Sequence, residues 1–180
     1  SGGTTALPYF GNTLVSIGYK WLGEDEVGYD FISHSDNRAF VEDGWFETMQ
    51  DTLSSADVIV GQNFKFDLTW LRACGFTYNR HVYDTMVAEY ILAKAKRWSL
   101  SLDSLAKRYG VTQKEKDLVA PYLKDGKTFY DIPYDIIEEY GIADVEATEQ
   151  VALKQLEAFG TTFEELFGDE ESIADTAFVA

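Results

Sequence analysis

The chain has a single cysteine, two histidines, few basic residues and no long apolar run, and each shortage removes a class of protein. Cys74 alone cannot close an internal disulfide or build a thiolate metal cage. Any bound metal therefore has to rest on carboxylates, which favour hard cations such as Mg²⁺ or Mn²⁺ over structural zinc. No stretch approaches the roughly 18 consecutive apolar residues that a bilayer crossing needs. The opening Ser1-Gly2-Gly3 offers neither a basic n-region nor an apolar h-region. A soluble, non-secreted protein, cytoplasmic or nucleoid-associated and without a membrane partner, is expected. His34 and His81 stand isolated, with nothing to mark either as a ligand or a base.

Basic charge is the next shortage. Fifteen Lys and Arg face 31 Asp and Glu, for a net charge of −16. Such a surface repels a polyanion and excludes a broad electrostatic grip on nucleic acid. An enzyme that meets phosphate through cations held by carboxylates escapes the objection locally, because the metal inverts the sign of the site. Affinity is then low, or is supplied by a partner domain. Lys94, Lys96 and Arg97 beside Trp98 form the one small basic cluster, readable as a steering patch for a strand or as a helix end that favours cations.

What is present suits one compact domain: 180 residues, 46% of them hydrophobic and 15% aromatic. Thr13 to Trp21 and Val27 to Ile32 read as two strands separated by the charged turn Glu24-Asp25-Glu26. Phe46 to Leu53 has helical spacing, and Ala56 to Val60 is a short apolar strand. Helices are predicted over Asp67 to Cys74, stopped by Gly75, and over Asp84 to Lys96. Two more are predicted from Leu102 to Tyr109, between Ser101 and Gly110, and from Tyr134 to Phe159, opened by Pro133 and closed by Gly160. Strands in the first third followed by helices predict an α/β domain with a mixed sheet. Residues 1–160 make that domain, and the acidic residues 161–180 read as a peripheral extension or linker. Trp21, Trp45 and Trp70 lie away from the polar clusters and read as packing.

Two clusters carry chemistry. Gly61-Gln62-Asn63-Phe64-Lys65-Phe66-Asp67 follows a buried strand and opens a helix. An amide and a carboxylate four residues apart there can face one side, the acid toward a cation and the amide toward a substrate oxygen. The alternative is plain capping, with Asn63 as N-cap and Asp67 as a solvated first-turn acid. Tyr140 and Asp144 are i and i+4 on the long helix, which puts a phenol and a carboxylate on one face. The carboxylate can bind metal while the phenol holds an attacking water, or the pair is a packed aromatic and a surface acid.

Together, and with Asp84-Thr85-Met86, Glu89-Tyr90-Ile91-Leu92 and Leu102-Asp103-Ser104-Leu105-Ala106 between them, the clusters resemble the DEDDy-type 3′–5′ exonuclease domain of family A DNA polymerases over about residues 4 to 158. The resemblance implies a ribonuclease-H-like mixed sheet flanked by helices, with two divalent ions, Mg²⁺ or Mn²⁺, at the last phosphodiester of a single-stranded DNA 3′ end. It implies that Asp144 and Asp67 hold the ions and that Tyr140 orients the nucleophile. It places Gln62, Asn63, Phe66, Leu7 and the backbone at Thr4 on the terminal nucleotides, and a polymerase domain, in cis or in trans, as partner.

The match fails at the family's first motif, Asp-x-Glu followed by Thr. Aligning Thr4-Thr5-Ala6-Leu7 with the residues just downstream of that motif puts Ser1 at the aspartate and Gly3 at the glutamate, and leaves the central strand without an upstream counterpart. Neither residue ligates Mg²⁺ usefully, so the chain as written is expected to be a poor catalyst. A missing central strand is expected to destabilise the sheet unless the strand-like Thr176 to Ala180 fills the gap, as in a circular permutant, an arrangement that is not the expected one. Two rivals remain: a ribonuclease D-like enzyme that trims RNA 3′ ends, and a non-catalytic binding module on the same fold.

Overall fold

The computed structural model describes residues 8, 11–35, 41–94, 96–111, 118–168 and 177–179. Ser1, Gly3, Thr4 and Leu7 lie outside the described residues. Strands β1 (Ser16–Trp21) and β2 (Gly28–Phe31) form the expected antiparallel pair, in a register that sets Ser16 opposite Phe31 and Tyr19 opposite Gly28. After α1 (Trp45–Ser55) comes β3 (Val58–Gly61), which leads into α2 (Phe64–Ala73). Next, β4 (His81–Asp84) runs parallel to β3, with Gly61 beside Asp84.

The remaining helices are α3 (Thr85–Leu92), α4 (Leu102–Tyr109), α5 (Ala120–Lys124), α6 (Tyr134–Phe159) and α7 (Phe163–Phe167). The last element is a strand, β5 (Ala177–Val179). The sheet order is β2-β1-β5-β3-β4, so β5 takes the middle position, antiparallel to β1 and parallel to β3. This is the mixed α/β architecture expected of a ribonuclease-H-like exonuclease fold. Within residues 161–180, read from the sequence as a peripheral extension, Phe163 is buried in the core and Ala177–Val179 lies at the sheet's centre.

Period-2 alternation divides the core between the two faces of β3. Ile59 points into a cluster with Met49 and Leu53 of α1 and Phe64 and Leu71 of α2. Val58 and Val60 point the other way, toward Ala88 of α3, Val145, Ala152 and Leu156 of α6, and Phe163. The four residues of β3 are buried, as a strand covered on both faces requires.

Several helix ends follow local chemistry. Ser101 caps α4 by accepting the Ser104 amide, and Gly110 ends it in a left-handed conformation. The helix predicted from Asp84 to Lys96 is shorter, because His81–Asp84 is drawn into the sheet and Lys94 turns left-handed at φ 47°. The short α5, with Pro121 in its first turn, is not among the predicted helices. No helix among the described residues is long and apolar enough to cross a membrane.

Two buried polar systems fix α6. Lys20 of β1 reaches Glu149 of α6 at 2.8 Å, and the Gly23 amide donates to the same carboxylate at 3.1 Å. Gln155 Nε2 donates to the Thr85 carbonyl at 2.9 Å and to Glu89 at 3.0 Å. Glu89, 1% exposed, also accepts from Tyr109 at 2.6 Å and pairs with Arg108. One buried carboxylate thus ties α3, α4 and α6 together, with its lone pairs taken up as burial demands.

Candidate active site

The strand-to-helix turn after β3 is built by Asp84. Its carboxylate accepts the amides of Asn63 and Phe64, each at 2.9 Å, and the Met86 amide at 2.9 Å. One side chain therefore caps the first turns of α2 and α3 together, where the helix dipoles favour negative charge. Asn63 stands at the N-cap of α2 with φ 54°, and its side chain caps nothing. The capping role that its position suggests belongs to Asp84. An aspartate directly before the apolar Thr85–Leu92 pattern was the available signal for it.

The same turn needs glycine at position 61. A Cβ there would lie 2.3 Å from the Phe64 ring, which fills the space over the strand end. Gln62 turns inward as well: its Nε2 donates to the Leu100 carbonyl at 2.8 Å, and its Oε1 accepts from Thr85 at 2.5 Å. Phe66 is half-buried on the first turn of α2. Asp67, one residue on, has its carboxyl raised to about 7, first by burial and further by the nearby charge of Asp84.

On α6, Tyr140 and Asp144 lie one turn apart and close enough to perturb each other's titration. Burial lifts the Asp144 carboxyl to about 6; the Tyr140 hydroxyl works against the shift and Asp103 of α4 adds to it. Tyr140 itself is pushed well above an ordinary phenol by burial and by Asp144, so it is a hydrogen-bond donor and not a base at neutral pH. Tyr29 of β2 completes this half. Its hydroxyl meets Ser16 Oγ at 2.8 Å, and its ring lies so close to α6 that a Cβ on Gly141 would sit 2.1 Å away. Burial pushes Tyr29 up to about 12. Asp103 and Tyr29 are the residues of this half that sequence reasoning left without a role.

The structure thus gathers the predicted residues into two groups. Gln62, Asn63, Phe66 and Asp67 cluster with Asp84 at the carboxyl end of β3, and Tyr140 and Asp144 cluster with Asp103 and Tyr29 over β1 and β2. Among the described residues, neither Asp67 nor Asp144 forms an ion pair with Lys, Arg or His. No group of three or more His, Cys, Asp or Glu that could hold a metal ion occurs among the described residues either.

The sequence model of the 3′–5′ exonuclease family matches residues 12–157, which takes in both groups. The chain belongs to the 3′–5′ exonuclease family. A similar curated protein is the DNA polymerase I of Borreliella burgdorferi, 24% identical over 146 residues, covering 81% of this chain and 15% of that polymerase. The chain therefore spans about one seventh of the polymerase it matches. No solved structure matches it. Within the exonuclease match, Gly61 to Asp67 and Tyr140 to Asp144 share two features. Each contains a glycine that an aromatic ring overlies and a carboxylate raised by burial.

Proposed function

We propose that this exonuclease domain hydrolyses the terminal phosphodiester at the 3′ end of single-stranded DNA, in a divalent-metal-dependent reaction, as the proofreading partner of a DNA polymerase domain in cis or in trans. The observation that carries the reading is the placement of Tyr140 one turn from Asp144 on α6, beside a carboxyl raised to about 6, with Asp67, raised to about 7, at the end of β3. Two carboxylates that burial makes costly to ionise, without basic partners among the described residues, suit a hard cation. Asp144 and Asp67 would each give one ligand, and water and substrate phosphate would complete the coordination. Such ions, when bound, supply Lewis-acid stabilisation of charge on the phosphodiester.

The chain's own residues do the rest. Tyr140 keeps its proton and donates it, so it positions a water or carboxylate oxygen without serving as general base. Asn63, Phe66 and the backbone between them present the carboxyl end of β3 to the terminal nucleotide, with Thr4 and Leu7 proposed to meet it from the segment aligned with the first motif. Gln62 supports that surface through Leu100 and Thr85. Single-strand preference follows from the cost of unstacking a paired end.

The test is Mn²⁺-dependent shortening of a 5′-labelled single-stranded DNA, with a matched RNA alongside. The chain as written is expected to act weakly; Ser1→Asp with Gly3→Glu is expected to raise the rate by several powers of ten, and Asp144→Asn to abolish it. Preferential shortening of the RNA would move the assignment to RNA trimming. Ser1 and Gly3, where the first motif has its aspartate and glutamate, favour a second reading, a binding module without catalysis. Metal-independent DNA binding and no cleavage by the restored protein would establish that reading instead.

A further inference from the structure

The two groups of site residues are attached to different strands. Asp67 follows β3 through the turn that Asp84 clamps. Asp144 is tied to β1, because Val145 packs where a Cβ on Gly18 would lie 3.1 Å from it, and because Lys20 holds Glu149 at 2.8 Å. β1 and β3 do not touch as neighbours. β5 lies between them, with Lys20 and Val60 flanking Val179 and with Trp21 and Ile59 flanking Phe178.

We infer that β5 is a positioning strand: by occupying one strand width between β1 and β3 it sets the separation of the Asp67 and Asp144 groups. Neighbouring strands lie about 4.8 Å apart, so β1 and β3 are held roughly 9.6 Å apart by β5. β1 runs antiparallel to β5 and β5 runs parallel to β3, so β1 and β3 are antiparallel to each other. If β5 leaves, their inner edges can pair directly, and the two groups approach by about 4.8 Å or lose their fixed relation.

Detachment short of global unfolding is physically reasonable. β5 has three residues and only a short ladder on either side. The β1–β2 pair and the β3–β4 pair each keep their own ladder, and α6, which packs on Val58 and Val60 of β3 as well as on β1, holds the two pairs in one body without β5. Such a unit is expected to open at lower free energy than the sheet halves it joins. The spacing role stands on topology alone; its consequence for cleavage rests on the exonuclease reading.

The full chain carries its own probe. Cys74, the only cysteine, is exposed just beyond α2, and Glu146, two residues past Asp144, is exposed on α6. Spin labels at Cys74 and at Glu146→Cys report the distance between the groups by pulsed electron resonance. Phe178→Pro bars the ladder, whereas Phe178→Val keeps strand propensity. The expected result is a shift of about 5 Å, or a broadened distribution, in Phe178→Pro with helix content intact, and the native distance in Phe178→Val. A native distribution in the folded Phe178→Pro protein, or an equal shift in Phe178→Val, overturns the inference.

Should Phe178→Pro fail to fold, amide exchange on the unaltered chain decides. Amides of β1 and β3 that face β5 are expected to exchange ahead of those in the β1–β2 and β3–β4 ladders. Exchange of all of them together, through global unfolding alone, overturns it. Neither readout depends on cleavage, so failure of the exonuclease reading remains a separate result.

Discussion

Asp67 sits just past a strand end, on a turn clamped by a second carboxylate that collects three backbone amides, whereas Asp144 sits in the interior of a 26-residue helix with a phenol one turn away. The first half of the site owes its shape to backbone hydrogen bonds, and the second to side chains docked on a sheet. The two should therefore break separately. The sharpest way to expose the difference is to remove each half's anchor. Lys20→Ala leaves Glu149 buried and unpaired, and the expected loss is about 3–5 kcal/mol by chemical denaturation, with α6 displaced from β1. Asp84→Ala orphans the Asn63 and Phe64 amides, with an expected loss of about 2–4 kcal/mol. Amide exchange locates each effect: protection should fall first around α6 in the former and around residues 61–67 in the latter. Equal loss in both halves from either change would show one cooperative unit.

The glycines give a finer comparison. A Cβ at Gly61 would lie 2.3 Å from Phe64 Cδ2 and 3.1 Å from Phe64 Cβ, on a side chain that is 1% exposed and packed in the core, with little room to swing aside. A Cβ at Gly141 meets only the far end of Tyr29, which can rotate away if it gives up its Ser16 hydrogen bond. Gly61→Ala is expected to cost about 2–3 kcal/mol and Gly141→Ala about 1–2 kcal/mol. Shortening Tyr29 to Leu should recover the second loss, and a double-mutant cycle on thermal stability measures that coupling.

Much of this was legible in the sequence, and the failures share a cause. α6 runs from Tyr134 to Phe159 and α4 from Leu102 to Tyr109 as periodicity and caps predict, because helix signals are local. The Tyr140–Asp144 pair was legible for the same reason, as i and i+4 on one helix. What escaped was non-local. His81–Asp84 is a strand only because β3 lies beside it, and Asp84 looks like a helix residue until its carboxylate is found on another turn. The acidic composition of residues 161–180 suggested a solvated tail, and it outweighed three residues whose partners, Lys20 and Val60, are far away in sequence. Asp103 carries a helix-first-turn signature and faces Asp144 only through the packing of α4 on α6.

Titration separates the halves most gently. The Asp67 carboxyl is raised to about 7 from 3.8, so between those values the folded chain holds a proton that the unfolded chain has released. Stability therefore falls as pH rises from about 4 to about 7 and falls no further above that. Asp144, raised to about 6, adds a fall that ends about one pH unit earlier. Asp67 is only half-buried, so solvent screens part of the effect, and Asp67→Asn is expected to gain about 1–2 kcal/mol at pH 8 and almost nothing at pH 4. Melting temperatures across pH 4–8 in a chelating buffer measure this directly. In the unaltered chain, Mn²⁺ should return part of the lost stability at pH 8 and little at pH 4, because a cation favours the ionised carboxylates. A flat pH profile in the unaltered chain would mean that Asp67 is well solvated, and the turn half would then lack the electrostatic tension that makes it a place for a cation.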